Sequence, residues 1–241
     1  MMLRPMFKGR RSIVVLSAVA GAIAAALLVA LSLGSSRDAS APDAAATGAK
    51  LHGLQQTTSL LRGIPQSGTV LGHANARVTI VEYADLQCPY CAVFATDVFP
   101  SIVREYVRSG KAKIEFRGLT FVGPDSDPAL RTALAAGQDG RLWHVVELLY
   151  HNQGAENSGW VTEDLLERAV SSARLDASRT LAARSDADVQ RQLEAAADAA
   201  THDQVPGTPA FSVGPTGGAL QLLPTNDAET LRTAIDAALA A

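Results

Sequence analysis

The feature that narrows the fold most is a pair of cysteines at the seam between a strand and a helix. Cys88 and Cys91 are the only two cysteines among 241 residues. Ahead of them, Val78-Thr79-Ile80-Val81-Glu82-Tyr83 is a near-continuous apolar, β-branched run, the pattern of a strand buried on both faces. Behind them Phe94, Val98, Ile102 and Tyr106 recur at helical spacing, and Ala95, Phe99, Val103 and Val107 widen the stripe. Cys88 therefore falls at a helix N-terminus, where unpaired N–H groups and the helix dipole stabilise a thiolate. Cys91, one turn further in, is placed to resolve a mixed disulfide made by Cys88.

Other uses of two cysteines fit less well. As a staple, so short a loop contributes only about 2 kcal/mol. A zinc site needs two more ligands, and His52, His73, His144, His151 and His202 are scattered without a paired spacing. A copper(I) carrier recruits soft methionines, but Met1, Met2 and Met6 all lie in the N-terminal tail. Thiol chemistry without metal or other cofactor is the expectation.

The segment Glu82-Tyr83-Ala84-Asp85-Leu86-Gln87-Cys88-Pro89-Tyr90-Cys91 resembles the active-site stretch of the DsbA-like thioredoxin-fold oxidoreductases. A second element, Val205-Pro206-Gly207-Thr208-Pro209-Ala210-Phe211, is similar to the loop that carries the cis-proline facing the cysteines in that superfamily. The resemblance runs from about Thr69 to the C-terminus and implies an α/β thioredoxin fold, a central mixed sheet flanked by helices. Asp127-Pro128, taken as cap and first turn, opens a helical stretch that continues through Leu142–Tyr150, Thr162–Ala173 and Ser185–His202. Such a helical insertion, about 125–203, sits between the two halves of the sheet in DsbA-like proteins.

Around that insertion the periodicity is plain. Thr69-Val70-Leu71 reads as a short strand, and Lys111–Arg117 alternates as a half-buried one. Pro100 is expected to kink the helix after Cys91, because it removes a backbone hydrogen bond, and Gly110 ends that helix. Ala210–Val213 and Ala219–Leu223 form a hairpin across a Gly-Pro-Thr-Gly-Gly turn. The last helix is expected to begin at Asn226 with Glu229 completing a capping box, burying Leu231, Ala234, Ile235, Ala238 and Leu239.

The N-terminus carries Arg4, Lys8, Arg10 and Arg11 and no acid, followed by an uncharged apolar run from Ser12 to Leu33. At about 22 residues this run is long enough to span a bilayer and longer than the about 7–15 residues of a signal-peptide core. Pro42 follows the one nearby A-x-A match and disfavours cleavage. The expectation is a basic cytoplasmic tail over 1–11, a transmembrane signal anchor over 12–34 with the rest outside, a flexible linker over 35–67 and the catalytic domain over 68–241. Secretion after cleavage is the alternative. All 24 acidic residues follow Arg37, and the chain's net charge is −3, so nothing marks a nucleic-acid partner.

The resemblance implies roles. Cys88, expected to be exposed, is the attacking sulfur and Cys91 the resolving one; Pro89 and Tyr90 tune the pair. DsbA-type sites carry Pro-His, and Tyr90 in place of His removes a nearby cation, so a weaker oxidant is expected. Pro209 stands opposite Cys88, and the Thr208 backbone pairs with the substrate strand. Glu82 matches an acid buried beneath the disulfide to move protons; strand alternation alone fits a surface glutamate equally well. The function this implies is oxidation of cysteines in exported proteins, with a membrane redox partner that recycles the pair. A reductase or isomerase of the same fold, or a redox-inert binding module, are the alternatives.

Overall fold

Strand β3 (Val78–Ala84) is buried on both faces along its whole length, as its apolar run predicts. It lies in the middle of a six-stranded sheet of order β1-β2-β4-β3-β5-β6. The computed structural model describes residues 50–241 apart from 224 and 226. The neighbours of β3 are β4 (Ala112–Gly118), parallel, and β5 (Ala210–Pro215), antiparallel. β1 (Gln66–Ser67), β2 (Val70–Leu71) and β6 (Gln221–Leu223) complete the edges, each antiparallel to its neighbour.

The two faces of β3 enter two cores. Val78, Ile80 and Ala84 join the main core, and Val81 and Tyr83 join a smaller one with Leu119, Ala196 and Ala200. Alternation puts Glu82 on the main-core side. In β4, Ala112, Ile114 and Phe116 are buried while Lys113, Glu115 and Arg117 are half-buried, so the polar face follows the expected register.

Helix α1 (Leu54–Leu61) precedes the sheet. Helix α2, residues 89–107, is a composite of α-helical and wider turns: Pro89–Val93, Phe94–Val98, Phe99–Ile102 and Val103–Val107. The first wide turn sits directly before Pro100, which has no N–H for the normal ladder. Gly110, at φ 73, closes the helix in the left-handed region.

Between β4 and β5 come α3 (Ser126–Gly137), α4 (Leu142–His151), α5 (Glu163–Ser172), α6 (Ala177–Ala182) and α7 (Ala187–His202). Every residue of α4 from Leu142 to Tyr150 is buried, making it the axis of the insertion. Trp143 stacks on Phe99 at 5.1 Å between centroids, meets Phe116 edge-on at 5.8 Å and donates to Thr69 O at 3.0 Å. Helix α8 (Ala228–Ala240) closes the chain over β5, with Leu231 and Ile235 buried. Gly118 shows how closely the insertion approaches: a Cβ there would meet Leu130 Cδ1 at 2.1 Å.

Several boundaries differ from the sequence reading. Residues 50–67, assigned to the linker, are folded: Leu51, Thr57, Leu61 and Ile64 are buried, because α1 covers α4. Asp127 does not cap α3, which starts at Ser126; the carboxylate pairs instead with Arg131 one turn on, at 2.8 Å. The helix expected from Ser185 starts at Ala187, and α6 was not foreseen. Asp227 caps α8 by accepting from Thr230 N at 2.7 Å; Asn226 lies outside the described residues. So do the basic tail, the apolar run and the linker to residue 49. Among the described residues no helix is long and apolar enough to cross a membrane.

Trp143 joins the insertion to the sheet, so its removal opens a large void. Trp143→Ala is expected to cost about 3–5 kcal/mol of stability, measured by urea unfolding of the reduced chain.

Candidate active site

Cys88 is the N-cap of α2, in an extended conformation at φ −68 and ψ 120, with Pro89 at the first helical position. Its N–H donates to Asp85 O at 3.0 Å and its carbonyl accepts from Ala92 N at 3.2 Å. This is the strand-to-helix seam the sequence implied. The expectation that Cys88 is exposed is corrected: it is 5% exposed and Cys91 0%. The loop before β5 covers it, and the Cys88 thiol donates to Thr208 O at 3.2 Å. Tyr90, at 65% exposure, and Val93 are the outward residues of this turn.

The Thr208–Pro209 peptide bond is cis, and the contact between Cys88 Sγ and Thr208 O brings the two sequence motifs together across 120 residues. Both cysteines are free.

The two sulfurs differ in what opposes or supports a charge. Cys88 is lowered to about 6. The thiol of Cys91 donates to its thiolate, the Thr208 side chain adds a second hydrogen bond, and the N–H groups of Cys91 and Tyr90 add more, together outweighing burial. The bond to the Thr208 carbonyl favours the thiol form, but it is one contact against these. Cys91 is pushed far above the ordinary thiol range, first by burial, then by its bond to Cys88 and the charges of Cys88 and Glu82.

Glu82 is 2% exposed, so its surface alternative is excluded. Burial raises its pKa to about 8, and it is a neutral acid near pH 7. Its charge, when it ionises, adds to what raises Cys91.

The insertion fastens the loop that carries Cys88. Asp85 accepts from Gln87 N at 2.8 Å, Val122 N at 2.9 Å and Ser126 Oγ at 2.7 Å. Gln87 donates to Ser126 Oγ and Asn157 Oδ1 and accepts from Asn157 N at 2.7 Å. Tyr150 donates to Asp85 O at 3.3 Å, and Gln153 to the carbonyls of Leu86 and Cys88 at 2.8 and 3.2 Å. Sequence reasoning missed Gln87, Ser126, Gln153 and Asn157 as the residues that hold this loop. It also missed Glu147, an acid hidden inside the most apolar helix. No local pattern marks partners that lie 39 to 70 residues away.

Among the described residues no cluster of three or more His, Cys, Asp or Glu side chains is arranged for a metal. A groove of about 530 Å³ between α1 and α2, lined by Gln56, Leu60, Arg104 and Arg108, contains neither cysteine.

Residues 66–237 match the family described as Thioredoxin. The chain belongs to the thioredoxin family. It is 28% identical over 170 residues to the Probable disulfide bond formation protein D of Bacillus cereus, spanning 69% of this chain and 76% of that protein. BdbD from Bacillus subtilis (oxidised) superposes with a TM-score of 0.65 at 24% identity, over 73% of this chain and 97% of that one. Wolbachia pipientis alpha-DsbA1 does so at 0.60 and 18%, over 75% and 92%; these two likenesses speak for the fold. With the inserted helices and the cysteine pair, the chain is a DsbA-like protein disulfide oxidoreductase.

The unequal sulfurs give a direct expectation. In the folded, reduced chain a small alkylating agent should modify Cys88 alone, at a rate that rises with pH through a midpoint of about 6 and then levels. Because this pKa is depressed, the thiolate's support of the folded state is full above the ordinary thiol value of 9.0 and lost as pH falls through about 6. Equal labelling of Cys91 would contradict the assignment.

Proposed function

We propose that this chain oxidises cysteine pairs of exported proteins, with Cys88 as the exchanging sulfur and Cys91 as its resolving partner. The contact of Cys88 Sγ with the carbonyl before cis-Pro209 carries this reading. It leaves the Thr208 backbone beside the sulfur, where an extended substrate can pair with it. Tyr90, Val93 and Phe121 are exposed apolar side chains; Tyr90 and Val93 flank Cys88 on α2, and Phe121 precedes the Val122 N–H bonded to Asp85. Such a surface fits an unfolded polypeptide better than a small molecule.

In the oxidising direction a substrate thiolate attacks Cys88 Sγ of the Cys88–Cys91 disulfide. A new S–S bond forms, the old one breaks, and its electron pair leaves on Cys91 Sγ. That buried sulfur takes a proton, for which the buried, neutral Glu82 is the donor in this reading. The substrate's second thiolate then attacks its own sulfur in the mixed disulfide, and Cys88 leaves as a stabilised thiolate. Two electrons pass to the cysteine pair, and a membrane redox partner must remove them to restart the cycle.

The apolar run over 12–34 would hold the domain outside the cell membrane, where no thioredoxin or glutathione pool reduces an exported pair. The Bacillus relative's name, disulfide bond formation protein, agrees with the oxidising direction. A reductase or isomerase shares this geometry and differs in its recycling partner. The redox-inert reading is disfavoured by the depressed pKa of Cys88, since a binding surface needs no reactive thiolate.

The test is a trap. Cys91→Ala expressed in the exporting cell should accumulate mixed disulfides through Cys88, seen as adducts on non-reducing gels that Cys88→Ser abolishes. The wild-type chain, oxidised, should restore disulfides to a reduced unfolded secretory protein. Absence of both results would overturn the proposal.

A further inference from the structure

The end of α1, the start of α4 and the end of α5 meet around a pocket of about 480 Å³ that contains neither cysteine. Arg62, Arg141 and Arg174 line it, one from each of these ends, together with Thr58, His144 and Ser172. No carboxylate lines it. Elsewhere arginines pair with acids, as Arg131 does with Asp127 and Arg184 with Glu163, both at 2.8 Å. Among the described residues Arg62, Arg141 and Arg174 have no such partner. Three cations from separate elements thus share one concave space with nothing to neutralise them.

Two of the three stand where the backbone alone would not put them. Arg141 is the N-cap residue of α4, the end at which a helix dipole disfavours a cation, and no side chain caps that turn. Arg174 follows the C-cap of α5 at φ 64, a position that glycine fills without strain. A bound anion would offset the first, and the second sets a guanidinium where the turn calls for no side chain. His144, 8% exposed, has its Nε2 3.4 Å from Arg141 Nη1. Burial first, and then the charges of Arg141 and Arg174, push its pKa down to about 4. The imidazole is therefore neutral near pH 7, and the charge of the pocket is that of its guanidiniums.

We propose that this pocket binds the phosphate group of a small anion through Arg62, Arg141 and Arg174. Planar guanidinium forks match phosphate oxygens two at a time. A phosphate monoester presents three acceptor oxygens and up to about two negative charges, which suits three cations, whereas a lone carboxylate offers two oxygens and one charge. The volume leaves room for the group that carries the phosphate. Thr58 and Ser172 add hydroxyl-bearing side chains to the wall. No bond is made or broken there, and the site stands apart from the thiol chemistry.

The experiment is calorimetric titration of the full-length chain with inorganic phosphate, at an ionic strength held constant with chloride. One phosphate should bind per chain, and the midpoint of thermal unfolding should rise with phosphate concentration. Arg141→Ala and Arg174→Gly should each weaken binding about tenfold, the loss expected for a charge-assisted hydrogen bond. Arg174→Gly also relieves the left-handed backbone, so without phosphate its unfolding midpoint should be no lower than that of the wild type. Weakened binding in that variant is then a lost contact and not a lost fold. Free phosphate and a lipid headgroup present the same oxygens. A water-soluble short-chain phosphatidic acid that binds more tightly than inorganic phosphate assigns the lipid source, and one that binds no better assigns a soluble one. No phosphate binding, or binding that both variants leave unchanged, overturns the proposal.

Discussion

The chemistry depends on one asymmetry: a negative charge is welcome on Cys88 and opposed on Cys91, three residues away. On Cys88 it meets the Cys91 thiol, the Thr208 side chain and two backbone N–H groups. On Cys91 it meets an enclosed apolar environment and the like charges of Cys88 and Glu82. A stabilised thiolate is a good leaving group and favours the reduced pair, which is what makes a disulfide oxidising. The rest of the fold exists around that difference. β3 is buried on both faces, so its one carboxyl is dry, and α2 starts where Cys88 can use free N–H groups.

The insertion does more than cover the sheet. Asp85, Gln87 and the carbonyls of Leu86 and Cys88 are held by Ser126, Tyr150, Gln153 and Asn157, so the loop before Cys88 is set by helices inserted after β4. At the other end of the insertion, Asp203 accepts from the Tyr83 hydroxyl, and Arg117 donates to the same hydroxyl at 2.7 Å. These contacts fix the end of α7 just before the chain turns through Val205 to Pro209. Both halves of the site are thereby anchored to one sheet.

Much of this was legible in residue order. The β-branched run before Cys88 gave a strand buried on both faces, and alternation in Ala112–Gly118 separated core from polar face correctly. The pairing of Cys88 with the Thr208-Pro209 loop came from family likeness, since no local pattern shows contact across 120 residues. Strand periodicity left Glu82 undecided because period 2 says which side a residue faces, not whether another layer covers it. Cys88 was expected at the surface because a helix N-terminus usually is; the covering loop is tertiary. Asp127 fitted a capping pattern, yet the helix starts two residues before Pro128, at Ser126, whose hydroxyl donates to Asp85, while Asp125 accepts from Gly159 N. Leu51 to Ile64 read as tether because its apolar residues are spaced among polar ones, and only tertiary packing against α4 gives them a place to bury.

The reduction potential of the Cys88–Cys91 pair, measured by equilibration with a glutathione redox buffer, tests the central asymmetry most directly. A Cys88 pKa of about 6 lies between the about 7 of thioredoxin and the about 3.5 of DsbA. The potential is accordingly predicted to fall between about −270 mV and about −120 mV, the values of those two proteins. A potential below about −270 mV would show that the Cys88 thiolate is not stabilised by its surroundings, and would contradict the account.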